Sequence, residues 1–222
     1  MFKYFSNIYN LYWKHKNFLP KKQYSCFGED IFIKDFFKND KEGFYVDVGS
    51  YHPFFWNNTY LLYKKKWNGV NIDANPLSTE LFNIARKDDY NFNLAVTNKK
   101  KNKIKLFYRR KMNVLNTTDE NFAKRNFPNG YESREIECLS LNNILEKTRF
   151  KNKIVDFLNV DVENTEKDVL ESLNFDVYKP RLICIEIHTK NHERFENNST
   201  FKFLDEKGYK IVWKKEYSYI FS

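Results

Sequence analysis

The sequence predicts an α/β fold: a mainly parallel, doubly wound sheet with a C-terminal antiparallel hairpin and a β-rich insertion. Three observations predict it. Short apolar runs alternate with helix-like stretches from Phe44 to Val96, the order that yields a parallel sheet with right-handed crossovers. The same alternation resumes after Ile154. The runs end in polar, repeatedly acidic residues, as expected where strand ends face a ligand cleft. The stretch between, about residues 101–138, breaks the rhythm and reads as an insertion beside that cleft.

Residues 1–23 form a basic amphipathic segment, and residues 24–222 form the main domain. The first 22 residues hold five Lys and no acid, with Phe2, Phe5, Tyr9 and Tyr12 at helical spacing. Such a helix suits an anionic membrane surface. It equally suits a packing position over the main domain, which is the preferred expectation. From Ser25 to Phe37, Ile31, Ile33, Phe36 and Phe37 follow the acidic pair Glu29 and Asp30, a charge placement that favours a helix N-terminus. Gly28 marks the bend before it.

Phe44 to Val48, set between Gly43 and Gly49, reads as a buried strand. A helix over 57–66, a strand over 70–72 ending in Asp73, a helix from Ser78 to Arg86 and a third strand from Phe92 to Val96 follow. In the insertion, Lys103–Tyr108 and Arg134–Cys138 read as strands either side of a polar stretch. Leu139–Lys147 reads as a helix, and Ile154–Val160 as an apolar strand ending at Asp161. A helix near Glu166–Leu173, a strand over 182–187 and a helix over 200–207 come next. Two closing strands, 209–214 and 217–221, are separated only by Lys215 and Glu216, which favours a hairpin.

The 41% hydrophobic content, against 30% charged, is enough for one globular core. A net charge of +9 attracts anions such as a nucleotide-sugar, a membrane surface or nucleic acid. Nucleic acid is the least favoured of these, since no RNA-binding aromatic signature or helix-turn-helix is present. Cys26, Cys138 and Cys184 lie far apart and read as reduced thiols rather than a disulfide frame or zinc site. No run approaches the ~20 apolar residues of a membrane span. The N-terminus lacks a signal peptide's apolar centre. The expected location is the cytoplasm, with peripheral contact at the inner membrane face as an extension through the N-terminal segment.

The strand ends carry the chemistry. The first strand closes on Asp47-Val48-Gly49-Ser50, where Gly49 lets backbone approach a ligand closely. The second closes on Asp73, a carboxylate placed to accept hydrogen bonds from ribose hydroxyls. A dinucleotide site needs a GxGxxG turn to cradle pyrophosphate, and this turn has one glycine, in Gly49-Ser50-Tyr51-His52-Pro53. A GxxxxGK[ST] phosphate loop is also missing. The pattern fits a nucleoside without phosphate, such as S-adenosylmethionine.

With these motifs together, the chain resembles the FkbM-type methyltransferases. The resemblance runs from Tyr24-Ser25-Cys26-Phe27-Gly28-Glu29-Asp30, through the two strand ends, to Ile154 through Glu166, and on through Pro180 to His188. It covers about residues 24–222. It implies a Rossmann-like class I methyltransferase fold, S-adenosylmethionine as cofactor and, usually, a hydroxyl acceptor. It implies Gly28, Glu29 and Asp30 near the methionine moiety and Asp47, Gly49, Ser50 and Tyr51 around the first turn. Asp73 would hold the ribose, Ala74 and Asn75 would flank the adenosine, and Asn93 would lie beside the adenine. Where the family commonly has glycine after its Asp-x-Glu pair, this chain has Asn164, which tolerates left-handed backbone better than most residues.

Methyl transfer to oxygen requires an aligned acceptor whose proton is removed or attracted. Asp161 ends one core strand, while Glu186 and His188 share a face at the end of the next. His188 could act as general base, oriented by Glu186 or Asp161. Alternatively, Asp161, Glu186 and His188 could ligate a magnesium or manganese ion that acidifies the acceptor hydroxyl. Glu163 and Glu166 would position substrate or start the following helix, and His52 would line the pocket or shape its turn. The acceptor expected is a sugar hydroxyl on a nucleotide-activated or cell-surface glycan precursor, phosphate-bearing and met by the basic run Lys99–Lys111. Other readings are methylation of nucleic acid or another small molecule, and a non-catalytic cofactor-binding protein.

Overall fold

The computed structural model describes residues 2–14, 22–188 and 195–222. The chain begins with α1 (Phe2–Ile8) and a π-helical turn over Tyr9–Trp13, then α2 (Glu29–Phe36). It continues through β1 (Phe44–Val48), α3 (Tyr60–Lys64), β2 (Asn68–Asp73), α4 (Pro76–Ala85) and β3 (Tyr90–Asn93). The central part holds β4 (Ala95–Val96), β5 (Lys103–Tyr108), α5 (Glu120–Asn126) and β6 (Glu132–Leu139). Then come α6 (Leu141–Leu145), β7 (Phe157–Val160), α7 (Glu166–Glu171), α8 (Phe175–Tyr178) and β8 (Leu182–Glu186). The chain closes with α9 (Ser199–Glu206), β9 (Ile211–Lys215) and β10 (Ser218–Phe221).

A seven-stranded sheet runs in the order β3-β2-β1-β7-β8-β10-β9. Its first five strands are parallel, and β10 pairs antiparallel with both β8 and β9. This is the mixed α/β, mostly parallel architecture of a Rossmann-like fold. The chain moves outward from β1 to β3, then returns to place β7 on the other side of β1. The order therefore reverses between β1 and β7, and the crevice beyond their carboxyl ends is where such sheets bind ligands.

Both faces of the sheet are covered, which is why its strands read as continuous apolar runs. Val46, Val48, Leu158, Val160 and Ile183 pack on one face with Leu141, Ile144 and Leu170. Alternate residues Tyr45, Phe157 and Leu182 pack on the other with Ile33, Phe37, Leu62 and Trp67. Helix starts follow local chemistry. The Asn75 side chain caps α4 by accepting from the Leu77 N–H at 3.1 Å, with Pro76 beside it. Asp119 caps α5 and Asn198 caps α9 in the same way.

Several expectations needed correction. The run Phe92–Val96 is two strands. Tyr90–Asn93 pairs with β2, whereas Ala95–Val96 leaves the main sheet and pairs with β6 in a three-stranded sheet. Helices α5 and α8 have no counterpart among the sequence expectations: α5 falls in the polar stretch read as part of the insertion, and the four residues of α8 make only one turn. The described part of the N-terminal segment touches the main domain at a few points but leaves most of the expected aromatic series in solvent, with Phe5, Tyr9 and Tyr12 exposed. Leu11 is buried with Leu81 and Met112, Lys3 pairs with Glu80 at 2.7 Å, and Asn7 donates to the same carboxylate at 3.0 Å. The rest of that segment, residues 15–21, lies outside the described residues. Among the described residues, no helix is long and apolar enough to cross a membrane.

A buried charge network lies on the Tyr45 face. Arg86, at the end of α4, is fully buried and donates to Thr59 Oγ1 at 2.7 Å, Asn57 Oδ1 at 2.7 Å and the Pro53 carbonyl at 2.5 Å. Thr59 in turn donates to Asp47 at 2.9 Å, and Asn57 and Asn159 add amide donors at 3.2 and 2.9 Å. The guanidinium thus stabilises Asp47 through intermediaries. Burial nevertheless pushes the Asp47 carboxyl above its ordinary range, against those hydrogen bonds and the Arg86 charge.

Candidate active site

Where the strand order reverses, a cavity of about 350 Å³ opens over the carboxyl ends of β1, β2, β7 and β8, within the size range of small-molecule sites. Gly49 sits at its base with φ at 82°. A Cβ there would fall 1.6 Å from the Asp161 carbonyl oxygen, because the Asp161 N–H is already bonded to Val48 O at 2.9 Å. The glycine is thus required first by the meeting of two strand ends, and only then by whatever occupies the cavity. The two sequence motifs are one structural unit.

Asp73 lines one side. Its carboxylate accepts from the Tyr51 N–H and the Asn75 N–H, both at 2.7 Å, which fixes it at the mouth of the β2 end. Desolvation raises its pKa to about 6. Ala74, Asn75, Tyr51 and Glu29 also line the cavity, with apolar walls from Ile72, Leu94, Val96 and Leu106. Glu29 is held by the Phe27 N–H at 2.7 Å.

The opposite end is acidic. Asp161, Glu163, Glu186 and His188 all line it, and Glu166 starts α7 just behind. His188 Nε2 lies 3.2 Å from a Glu186 oxygen. That contact raises the imidazole pKa, so Glu186 favours the imidazolium. Burial and mutual repulsion push Asp161 well above the ordinary carboxylate range, Glu163 to about 8 and Glu166 to about 7. Among the described residues, the group whose ligand atoms converge is Glu163, Glu186 and His188, all within 4.8 Å of one another. The expected metal triad therefore changes: Glu163 stands where Asp161 was placed. The reason is backbone geometry. Glu163 and Asn164 both adopt positive φ, 57° and 83°, a left-handed turn that begins two residues after Asp161. Asn164 takes the left-handed position that glycine commonly fills.

Five predicted cofactor residues do not line the cavity. Asp47 belongs to the Arg86 network, and Ser50 is buried beneath the turn. Asp30 closes its own loop by accepting from the Tyr24 N–H and Ser25 Oγ at 2.7 and 2.6 Å. Gly28 supplies the left-handed residue before α2, with φ at 99°. Asn93 points outward and donates to the Asp73 carbonyl at 2.9 Å. His52 is likewise structural. Its Nδ1 accepts from the Phe54 and Phe55 N–H groups at 3.1 and 3.0 Å, so Nε2 bears the proton and donates to Asn10 O at 3.1 Å.

Sequence reasoning missed Trp56, Asn58, Tyr217 and the loop Asn113–Thr118, all of which line the cavity. The loop is pinned over it through Thr117, which bonds Phe107 through both backbone groups and donates its hydroxyl to Glu163 O at 2.6 Å. The polar insertion was the available signal, but single-residue positions within it carry none.

A mostly parallel α/β sheet with this cavity at its reversal point and an acid at the second strand end fits a Rossmann-like methyltransferase fold. The comparison with known families agrees. The methyltransferase FkbM domain matches residues 47–211, and the chain belongs to that family. Methyltransferases of this family in general use S-adenosylmethionine. No curated protein and no solved structure matches the chain.

Proposed function

We propose that this protein transfers the methyl group of S-adenosylmethionine to a sugar hydroxyl of a nucleotide-activated or cell-surface glycan precursor. The observation that supports this best is the acidic and imidazole cluster of Glu163, Glu186 and His188, which shares one cavity with the nucleoside-type acid Asp73. When bound, S-adenosylmethionine supplies an activated methyl on a sulfonium. Asp73 accepts from the ribose hydroxyls, the apolar walls take the adenine, and Glu29 meets the methionine end. The surrounding carboxylates favour positive charge in this cavity.

In this reading the neutral form of His188 removes the acceptor proton, and Glu186 stabilises the imidazolium that results. Glu186 holds Nε2, which leaves Nδ1 to face the hydroxyl. Losing a positioned base typically costs ~10²–10⁴-fold, so His188→Ala should lower kcat by about that much and leave S-adenosylmethionine affinity within about twofold. An equal loss of affinity would assign His188 to cofactor binding instead. A second reading is a magnesium or manganese ion on Glu163, Glu186 and His188, favoured by the convergence of their ligand atoms. Turnover undiminished in excess chelator removes it. The acceptor itself is sought by mass spectrometry of nucleotide-sugar and glycan pools incubated with the protein, where a methylene-sized gain is expected.

The Asp73 pKa of about 6 gives a pH prediction. Only the ionised carboxylate accepts two ribose hydrogen bonds, and about nine-tenths of a group with this pKa is protonated one unit below it. From pH 7 to pH 5, S-adenosylmethionine affinity should therefore fall roughly tenfold by calorimetry. Asp73→Asn should bind weakly at both values, with little pH dependence. An unchanged wild-type affinity at pH 5 would remove Asp73 from the ribose.

A further inference from the structure

Beside the donor cavity lies a second, open pocket of about 480 Å³. The two share a wall formed by Tyr51, Trp56 and Asn113–Leu115. The second pocket therefore abuts the donor cavity across that wall. Trp56 is 48% exposed, with its ring stacked on Phe55 at 4.8 Å. Its φ is 48°, a left-handed geometry that is strained for a bulky residue. About half of this large residue stays in water although its backbone is strained. Such strain is concentrated at ligand sites.

Arg109 and Arg110 line the same pocket, and no Asp or Glu does. Both are exposed, and neither has a carboxylate partner among the described residues. Arg110 also lines an adjoining groove with Lys14, Lys111 and Arg134. That groove holds Glu80 and Glu132, but Glu80 is already paired with Lys3 and Glu132 accepts from the Tyr108 hydroxyl at 3.2 Å. Glu80 is thus paired and Glu132 keeps its charge, but the cations Lys14, Arg110, Lys111 and Arg134 outnumber it and the groove stays net positive. Planar guanidinium groups bind phosphate oxygens in bidentate fashion, and an exposed indole covers the apolar face of a sugar ring.

We propose that this pocket seats the methyl acceptor as a phosphorylated sugar, its ring on Trp56 and its phosphate on Arg109 and Arg110. The hydroxyl to be methylated then points across the shared wall toward Glu163 and His188. The inference rests on the methyl-transfer reading and adds where the acceptor's ring and phosphate sit. An acceptor linked to a diphosphate would extend from Arg110 along the neighbouring groove.

Calorimetry of the full chain with glucose 1-phosphate, UDP-glucose, glucuronate and glucose tests it. The two phosphorylated probes should bind, glucuronate should bind at least about tenfold more weakly, and glucose should show no heat of binding. The double variant Arg109→Ala/Arg110→Ala should weaken the phosphorylated probes by about tenfold or more, in line with the loss of charged hydrogen bonds. Tighter binding of UDP-glucose than of glucose 1-phosphate assigns the phosphate to a nucleotide-sugar, and the reverse to a sugar monophosphate; either supports the pocket. Glucose or glucuronate binding as tightly, neither phosphorylated probe binding at millimolar concentration, or an unchanged double variant overturns it. S-adenosylmethionine titrated into the same samples reports on the methyl-transfer reading separately. If it fails to bind, that reading fails whatever the sugars do; if it binds equally to wild type and double variant, the sugar results judge the pocket alone.

Discussion

Gly49→Ala should abolish S-adenosylmethionine binding and destabilise the fold by roughly 3 kcal/mol or more. Two independent penalties act at this position. The left-handed φ of 82° disfavours any Cβ, and the added carbon would lie 1.6 Å from the Asp161 carbonyl oxygen. That neighbour is backbone, tied to Val48 O at 2.9 Å, so a rotamer change cannot relieve the clash. The β1 and β7 ends must part, and they carry the floor of the cavity. Denaturant unfolding and calorimetry together check this. A variant with wild-type stability and affinity would mean that the strand ends move apart freely, against the packing described here. Asn164→Gly makes a useful contrast. Asn164 already tolerates its φ of 83°, and the glycine should leave affinity within about twofold, since only a few tenths of a kcal/mol of strain are relieved.

Arg86→Met should cost about 3–5 kcal/mol, the usual penalty for removing one partner from a buried ionic network. The methionine fills much of the volume, so the loss reports on charge and hydrogen bonding rather than on a cavity. Without the guanidinium, Asn57 Oδ1 and the Pro53 carbonyl lose a donor at 2.7 and 2.5 Å, and Asp47 loses its nearest cation. At ~2–4 °C per kcal/mol for a domain of this size, the melting temperature should fall by roughly 10 °C. Arg86→Met combined with Asp47→Asn should cost less than the sum of the two single changes, because the second relieves a charge the first has stranded. Strict additivity would show that the network does not act as a unit.

The parallel core was legible because it is buried on both faces. Phe44–Val48 and Leu182–Glu186 are short, largely apolar runs, the first leading into Gly49 at the cavity base and the second ending at Glu186, which lines it. Strand ends at Asp73, Asp161 and Glu186 could be named for the same reason. What could not be read was direction at single residues. Asp47 and Asp73 both lie at or near a strand end, yet pairing in the sheet turns one into the Arg86 network and the other toward the cavity. Glu163 displaced Asp161 from the converging group through two consecutive left-handed residues, of which only Asn164 had a chemical signature. Arg86 looked like the end of an amphipathic helix, and burial of an arginine is rare enough that nothing local suggested it. Trp56 and the loop Asn113–Thr118 reach the cavity through tertiary folding alone.

The central claim is methyl transfer from S-adenosylmethionine to a sugar. It is tested most directly by incubating the protein with S-adenosylmethionine labelled in its methyl group and a cellular nucleotide-sugar and glycan extract. The predicted result is label in a sugar fraction, S-adenosylhomocysteine in matching amount, and loss of both with His188→Ala. Label in no sugar fraction, from protein that binds the labelled donor, would contradict it.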